Sequence, residues 1–201
     1  SFRLVRGDFV VITGRIGSGK TTLLRLLQSL LPRDSGAIRC NGRPVEDPGT
    51  FFTPPYSSYT AQVPRLFSET LRDNVLFGYP ADDRLPQAMD LAAMGPDLAA
   101  LEDGLDTLVG TRGVKLSGGQ LQRTGAARMF ARGANLLIFD DLSAALDVAT
   151  ERQLWENLLR VQDVTCLVVS HRRPALRRAS RACSTRPPAS TASSPTPTAA
   201  A

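Results

Sequence analysis

Hydrophobic positions near the start of the chain form a short continuous run and then recur at helical spacing. Residues 8–13 are mostly apolar and end at a glycine-rich turn, which predicts a buried strand. After the turn, leucines recur every three or four residues and predict one apolar helix face, formed by Leu23, Leu26, Leu27, Leu30 and Leu31. Pro32 is expected to end that helix.

The rest of the chain continues this alternation. Short apolar runs predict strands over 37–40, 136–139 and 165–170. Helical patterns are found over 117–133 and 150–161. Residues 68–112 are predicted to be mostly helical, with breaks at Pro80, Pro86 and Pro96. Strands that alternate with helices predict an α/β fold, in which a mostly parallel sheet is flanked by helices.

The composition changes abruptly near the end of the chain. Of the 19 residues over 183–201, 17 are Pro, Ser, Thr or Ala. Such a segment buries too little apolar surface to offset the entropy of ordering it, so we expect a disordered tail. Residues 1–182 are then expected to form one domain, with a helical subdomain at about 68–132.

The charge of the chain argues against nucleic acid as its partner. The net charge is +5, but six arginines follow His171 and no acidic residue follows Asp163. The rest of the chain is near neutral, so the excess is interpreted as a solvated basic tail. The three cysteines are too far apart for a metal site, and no apolar run is long enough to span a bilayer.

A glycine-rich loop lies between the first predicted strand and helix. Residues 14–21 fit the pattern G-x-x-x-x-G-K-[ST], whose backbone N–H groups bind phosphates at the positive end of a helix. Lys20 is predicted to reach the β- and γ-phosphates, and the Thr21 hydroxyl to ligate Mg²⁺. The predicted nucleotide-binding residues of this loop are Gly14, Gly17, Ser18, Gly19, Lys20, Thr21 and Thr22. This pattern indicates a P-loop nucleotidase without specifying its class.

Three further motifs follow in order. Residues 116–120 (Leu-Ser-Gly-Gly-Gln) begin a predicted helix and form a second candidate anion site. The strand at 136–140 ends in the carboxylate of Asp140, an arrangement typical of a Walker B magnesium site. Ser-Ala-Ala-Leu-Asp at 143–147 comes next, and His171 follows the last predicted strand.

Together these motifs resemble the nucleotide-binding domain of an ABC transporter, from about residue 2 to about residue 178. In that family two such domains pack head to tail, and ATP lies between the P-loop of one and the signature motif of the other. The resemblance implies that Ser117, Gly118, Gly119 and Gln120 form the signature motif that binds nucleotide held by the partner. It further implies that Gln62 contacts Mg²⁺ and the attacking water, that His171 contacts the γ-phosphate, and that Asp147 couples the two sites.

The resemblance also implies a membrane partner. Residues 66–75 and 109–113 are similar to the exporter branch, in which these regions receive helices of a transmembrane domain. The expected activity is MgATP hydrolysis that powers transport at the cytoplasmic face of a membrane. A soluble ABC ATPase acting on DNA or the ribosome is disfavoured by the near-neutral body.

Three departures from the family pattern affect these expectations. Asp141 stands where the family usually has a catalytic glutamate one methylene longer, so Asp141 is either a weaker general base or the mark of a regulatory half-site with little hydrolysis. Only 13 residues precede Gly14, whereas the resemblance implies an adenine-stacking aromatic residue further upstream, so we expect weakened recognition of the base. The family's final strands are expected to be replaced by the 183–201 tail, so we expect a chain incomplete at both ends.

Overall fold

The computed structural model describes residues 2–80, 83–142, 145–161 and 163–184. Its main sheet has five strands, β1 (Phe9–Thr13), β4 (Ser57–Thr60), β5 (Leu136–Asp140), β6 (Thr165–Val169) and β7 (Arg181–Ser184). They lie in the order β4-β5-β6-β1-β7, and every neighbouring pair is parallel. A small antiparallel hairpin is formed by β2 (Arg39–Cys40) and β3 (Arg43–Pro44). The α/β fold with a parallel sheet is confirmed.

The described residues also form eight α-helices. They are α1 (Lys20–Leu27), α2 (Pro48–Phe51), α3 (Leu71–Leu76), α4 (Arg84–Leu91), α5 (Gly95–Ala100), α6 (Gly118–Phe130), α7 (Val148–Leu159) and α8 (Arg173–Arg178). A single 3₁₀ turn lies at Gly104–Asp106. Among the described helices, none is both long and apolar enough to cross a membrane.

The core lies on both faces of the sheet because successive side chains of a strand point in opposite directions. In β1, Val10 and Ile12 pack with Leu24 of α1 on one face, whereas Phe9 and Val11 belong to the larger cluster on the other. Trp155 of α7 lies in that larger cluster. Its ring meets Phe9 and Phe139 edge to face, with centroid distances of 5.6 and 5.4 Å.

Helix α1 ends one turn earlier than its leucine spacing predicts. Ser29 has a φ of 55°, its N–H donates to the Leu26 carbonyl, and the Leu30 N–H donates to the Arg25 carbonyl. These two bonds form a Schellman motif, which satisfies the last carbonyls of a helix. Leu30 is consequently 60% exposed, so its predicted place on the buried face was wrong.

The prolines predicted to break residues 68–112 have a different role. Pro96 lies in the first turn of α5, and Pro86 is the third residue of α4. The first N–H groups of a helix have no partner within it, so a proline there costs no hydrogen bond. Two of the predicted breaks are therefore helix starts.

The end of the chain also differs from prediction. Cys183 and Ser184 belong to β7, which pairs in parallel with β1, so the tail cannot begin at Cys183 and a further strand is present. Residues 185–201 of the expected tail lie outside the described residues. The arginines after His171 are not all solvated, because Arg172 pairs with the buried Glu151 and Arg178 with Glu156.

The packing of β6 predicts an order of thiol reactivity. Burial raises the pKa of Cys166 to about 12, whereas Cys40 and Cys183 are partly exposed. Since the thiolate is the reactive form, we expect a thiol reagent at pH 8 to label Cys40 and Cys183 in the native protein and Cys166 only after denaturation. A Cys166→Ala variant should give the same native count and one thiol fewer in denaturant. Equal native labelling of all three cysteines would contradict the buried position of β6.

Candidate functional site

The predicted site residues cluster where the parallel strands end. The carboxyl ends of β1, β4, β5 and β6 lead into the glycine-rich loop, Gln62, Asp141 and His171, respectively. Ligands bind at this edge in open α/β sheets, because loops from several strands converge there.

The glycine-rich loop has the backbone that its sequence requires. Gly17 and Gly19 have φ values of 78° and 84°, and an added Cβ at either would meet no atom within 4 Å. Glycine is therefore favoured at these two positions by the left-handed backbone conformation, and not by a lack of room for a side chain. Gly19 is the N-cap of α1, so the loop ends at the positive end of that helix. Thr22, also predicted to bind nucleotide, is an exposed residue of the first turn.

Lys20 lies inside the loop. Its side chain is buried, and its ammonium group donates to the carbonyls of Gly14 and Arg15 at 3.0 and 2.9 Å. Because the loop itself holds the Lys20 side chain, the ammonium group and the backbone N–H groups of residues 14–19 belong to the same loop. This arrangement fits an anion with several negatively charged oxygens, such as a triphosphate.

Asp140 ends β5 and is only 2% exposed. One carboxylate oxygen accepts a hydrogen bond from the Thr21 hydroxyl at 3.0 Å, and the other accepts from the Tyr59 hydroxyl at 3.3 Å. The described residues contain no cluster of three His, Cys, Asp or Glu side chains that would form an all-protein metal cage. One carboxylate and one hydroxyl beside a phosphate loop fit Mg²⁺, which is usually held by few protein oxygens together with substrate phosphates.

Tyr59 is a residue of this site that the sequence analysis missed. Burial raises the pKa of its hydroxyl, and the negative charge of Asp140 acts in the same direction. The hydroxyl therefore remains a proton donor to Asp140 at neutral pH. The signal that could have identified Tyr59 is its place three residues before Gln62, a predicted site residue.

One cleft of about 490 Å³ joins these groups, with Thr21, Tyr59, Gln62 and Asp140 in its wall. The Gln62 side chain is exposed, so it is free to reach a ligand in this cleft. The three residues predicted to contact the metal, Thr21, Gln62 and Asp140, are thus brought together.

Asp141 and His171 form the next part of the edge. The Asp141 N–H donates to the Val169 carbonyl at 3.0 Å, which continues the pairing of β5 with β6, and its φ of 50° then changes the direction of the chain. Burial raises the pKa of the Asp141 carboxyl, nearby His171 lowers it, and Asp140 raises it again. Asp141 and His171, two of the three predicted catalytic residues, are therefore electrostatic neighbours, and Gln62 is the third.

Arg172 extends this edge toward the 143–147 segment, within which Ser143 and Ala144 lie outside the described residues. Its guanidinium donates to the Leu146 carbonyl at 2.9 Å and to the carboxylate of Glu151, a residue 1% exposed, at 3.1 Å. Asp147 caps α7 through the Thr150 N–H at 2.9 Å, and the hydrogen bonds from Thr150 lower its pKa. Arg172 was expected to lie in a solvated tail, and nothing in its local sequence pattern indicated these contacts with Leu146 and Glu151.

The signature residues begin α6 with a capping box. The Ser117 hydroxyl accepts from the Gln120 N–H, and the Gln120 side-chain oxygen accepts from the Ser117 N–H at 2.8 Å. The Gln120 amide nitrogen donates to Asp97 at 3.2 Å. Both polar ends of the Gln120 side chain therefore hold the start of α6 in place.

Asp97 anchors this helix start to α5. Besides Gln120, it receives two hydrogen bonds from Arg123, each 2.8 Å long, and the side chains of this ion pair are only 11% and 12% exposed. A bidentate pair at this depth fixes both side chains strongly. No local pattern indicates this role for Asp97, because an acidic residue in the first turn of a helix is ordinary.

Known proteins resemble this chain in sequence and in fold. The family model described as "ABC transporter" matches residues 1–144. The chain belongs to the ABC transporter family. It is 38% identical over 183 residues to an ATP-dependent lipid A-core flippase of Burkholderia orbicola, covering 90% of this chain and 31% of the relative. P-glycoprotein 14 of Caenorhabditis elegans is 36% identical over 84% of the chain and 13% of that protein.

A solved structure of an ABC exporter is also similar to this chain. The ATP-bound structure of a bacterial Atm1-family ABC exporter is similar with a TM-score of 0.82 and 28% sequence identity, covering 92% of this chain and 33% of that one. The flippases and the exporter are about three times as long as the part that the chain matches. The similarity to exporters agrees with the predicted branch of the family.

The buried ion pair predicts a strong and non-additive effect on stability. Asp97→Ala leaves Arg123 buried without its partner, so we expect the free energy of unfolding to fall by about 3–5 kcal/mol. The double variant Asp97→Ala/Arg123→Ala should lose no more than the single variant. Urea unfolding of the variants measures both.

The exposed pair of Arg72 and Asp106 is a matched control for this cycle. Asp106→Ala should cost less than about 1 kcal/mol, because exposed ion pairs are screened by water. Additive losses at Asp97 and Arg123 would contradict the proposed anchoring of α6.

Proposed function

We propose that this chain binds and hydrolyses MgATP as the nucleotide-binding domain of an ABC exporter. The observation that carries the proposal is the meeting of Thr21, Gln62 and Asp140 in one cleft beside the Lys20 loop. Phosphate binding, metal binding and access for water are thereby available at one place.

The proposed roles follow from the positions of the side chains. Backbone N–H groups of residues 14–19 and the Lys20 ammonium hold the phosphates, while Thr21 and Asp140 hold Mg²⁺. Mg²⁺, when bound, neutralises charge on the phosphoryl oxygens. Asp141 accepts a proton from the attacking water, Gln62 orients that water, and His171 binds the γ-phosphate. Ser117, Gly118, Gly119 and Gln120 serve a nucleotide held by a second copy or a related domain.

We further propose a transmembrane partner at an exposed aromatic surface. Phe67 and Phe77 are 51% and 53% exposed, their ring centroids lie 5.2 Å apart, and Val63 of the cleft wall is 69% exposed. Such a patch is typical of a protein interface. This interface would hold the chain at the cytoplasmic face of a membrane, where hydrolysis would drive transport.

A rate series tests the hydrolysis itself. MgATP hydrolysis should rise faster than linearly with protein concentration, because each proposed site needs residues from two domains. Lys20→Ala should abolish it, whereas Arg33→Ala, at an exposed position, should not. A linear concentration dependence would contradict a shared site, and full activity of Lys20→Ala would contradict the P-loop assignment.

Substitutions at Asp141 distinguish a chain that hydrolyses ATP from one that only binds it. Since misplacement of a catalytic group by about 1 Å can cost on the order of 100-fold, we expect Asp141→Glu to raise kcat about tenfold or more with little change in KM. Asp141→Asn should remove hydrolysis and preserve nucleotide binding. Loss of activity in the glutamate variant would instead mean that the turn after β5 already places the shorter carboxylate correctly.

The binding-only regulatory half-site, which Asp141 alone suggests, is less favoured. The relatives matched over 90% of the chain are named ATP-dependent flippases, which supports hydrolysis over binding alone.

A further inference from the structure

Helix α6 makes close backbone contacts with the two loops that follow β4 and β5. A Cβ added at Gly125 would lie 2.5 Å from Pro64 Cγ, in the loop after β4. A Cβ at Gly118 would lie 3.3 Å from Ala145 Cβ, and one at Gly119 would lie 3.3 Å from the Ala145 carbonyl oxygen. Three glycines on one helix therefore allow both loops to touch it.

Gln122 joins the same two loops through hydrogen bonds. It is 4% exposed, its Nε2 donates to the Gln62 carbonyl at 3.0 Å, and its Oε1 accepts from the Ala145 N–H at 3.0 Å. The orientation of this amide is dictated by its partners, because a flipped side chain would place donor against donor and acceptor against acceptor. Both ends of one buried side chain are thus bound to the backbone of different loops.

The two loops carry different parts of the proposed site. Gln62 itself belongs to the first loop, and Asp147 follows Ala145 in the second. A hydrogen bond of 3.0 Å is lost if either partner moves by about 1 Å, and a buried amide that loses its partner is left unsatisfied. Displacement of one loop is therefore opposed unless the other follows.

We propose that Gln122 is a positioning residue that couples the loop of Gln62 to the loop of Ala145 and Asp147. It acts through these backbone groups and does not contact nucleotide. The inference rests on the proposed function, since nucleotide at the cleft is the event that moves Gln62. A merely structural Gln122 would affect folding stability and leave turnover per folded molecule unchanged.

Two substitutions separate the two hydrogen bonds. Gln122→Met keeps the length of the side chain and removes both bonds, whereas Gln122→Glu, when ionised, keeps the acceptor for the Ala145 N–H and removes the donor to Gln62. Gln87→Met, at an exposed position of α4, is the matched control. We expect both Gln122 variants to bind MgATP within about threefold of the unaltered chain, with kcat reduced about tenfold or more and KM little changed. Unchanged kcat in both variants would overturn the inference.

Hydrogen exchange gives a readout that does not depend on hydrolysis. With a non-hydrolysable ATP analogue, the exchange rates of the Lys20 and Ala145 amides should both change in the unaltered chain. In Gln122→Glu, and in Gln122→Met if that variant folds, the Lys20 amide should still respond and the Ala145 amide should not.

The pattern of responses distinguishes the two proposals. An Ala145 response that persists in the Gln122 variants would overturn the coupling alone. An unresponsive Lys20 amide in the unaltered chain would overturn the proposed function, and the coupling with it.

Discussion

Asp140 is a carboxylate that is almost completely removed from water, and the arrangement of the site depends on satisfying it. A buried charge is tolerated only where donors surround it. Thr21 from α1 and Tyr59 from β4 provide those donors, so one side chain of β5 fixes the start of a helix and the end of a neighbouring strand. The phosphate loop is held from both ends, because it runs from β1 to the same Thr21.

Parallel strands explain why these groups meet. Since β4, β5, β6 and β1 are neighbours and run in one direction, their carboxyl ends form a continuous edge. Apolar side chains on both faces leave only that edge available for polar chemistry. The site is thus a consequence of the sheet, and its precision comes from the hydrogen bonds that follow each strand: Asp141 to Val169, Arg172 to Leu146, and Gln122 to Gln62.

Neither β4 nor β7 was among the predicted strands. The sequence did predict β1, β5 and β6, the parallel sheet and a helix that begins at the 116–120 motif, because hydrophobic period and short motifs are local signals. It did not predict the end of α1, where a left-handed Ser29 overrides a leucine repeat that continues to Leu31. It also missed Asp97, Gln122 and Arg172. Each of these acts through partners distant in the chain, with separations of 21 to 60 residues, and no local pattern specifies such a partner.

The contact between Gly125 and Pro64 limits how related sequences can diverge. The space that the glycine leaves is filled by the proline ring, so Gly125 cannot gain a side chain while Pro64 is present. A lineage that acquired a side chain at Gly125 would need a smaller residue at Pro64 first or simultaneously. These two positions, 61 residues apart, are therefore expected to be inherited as a pair.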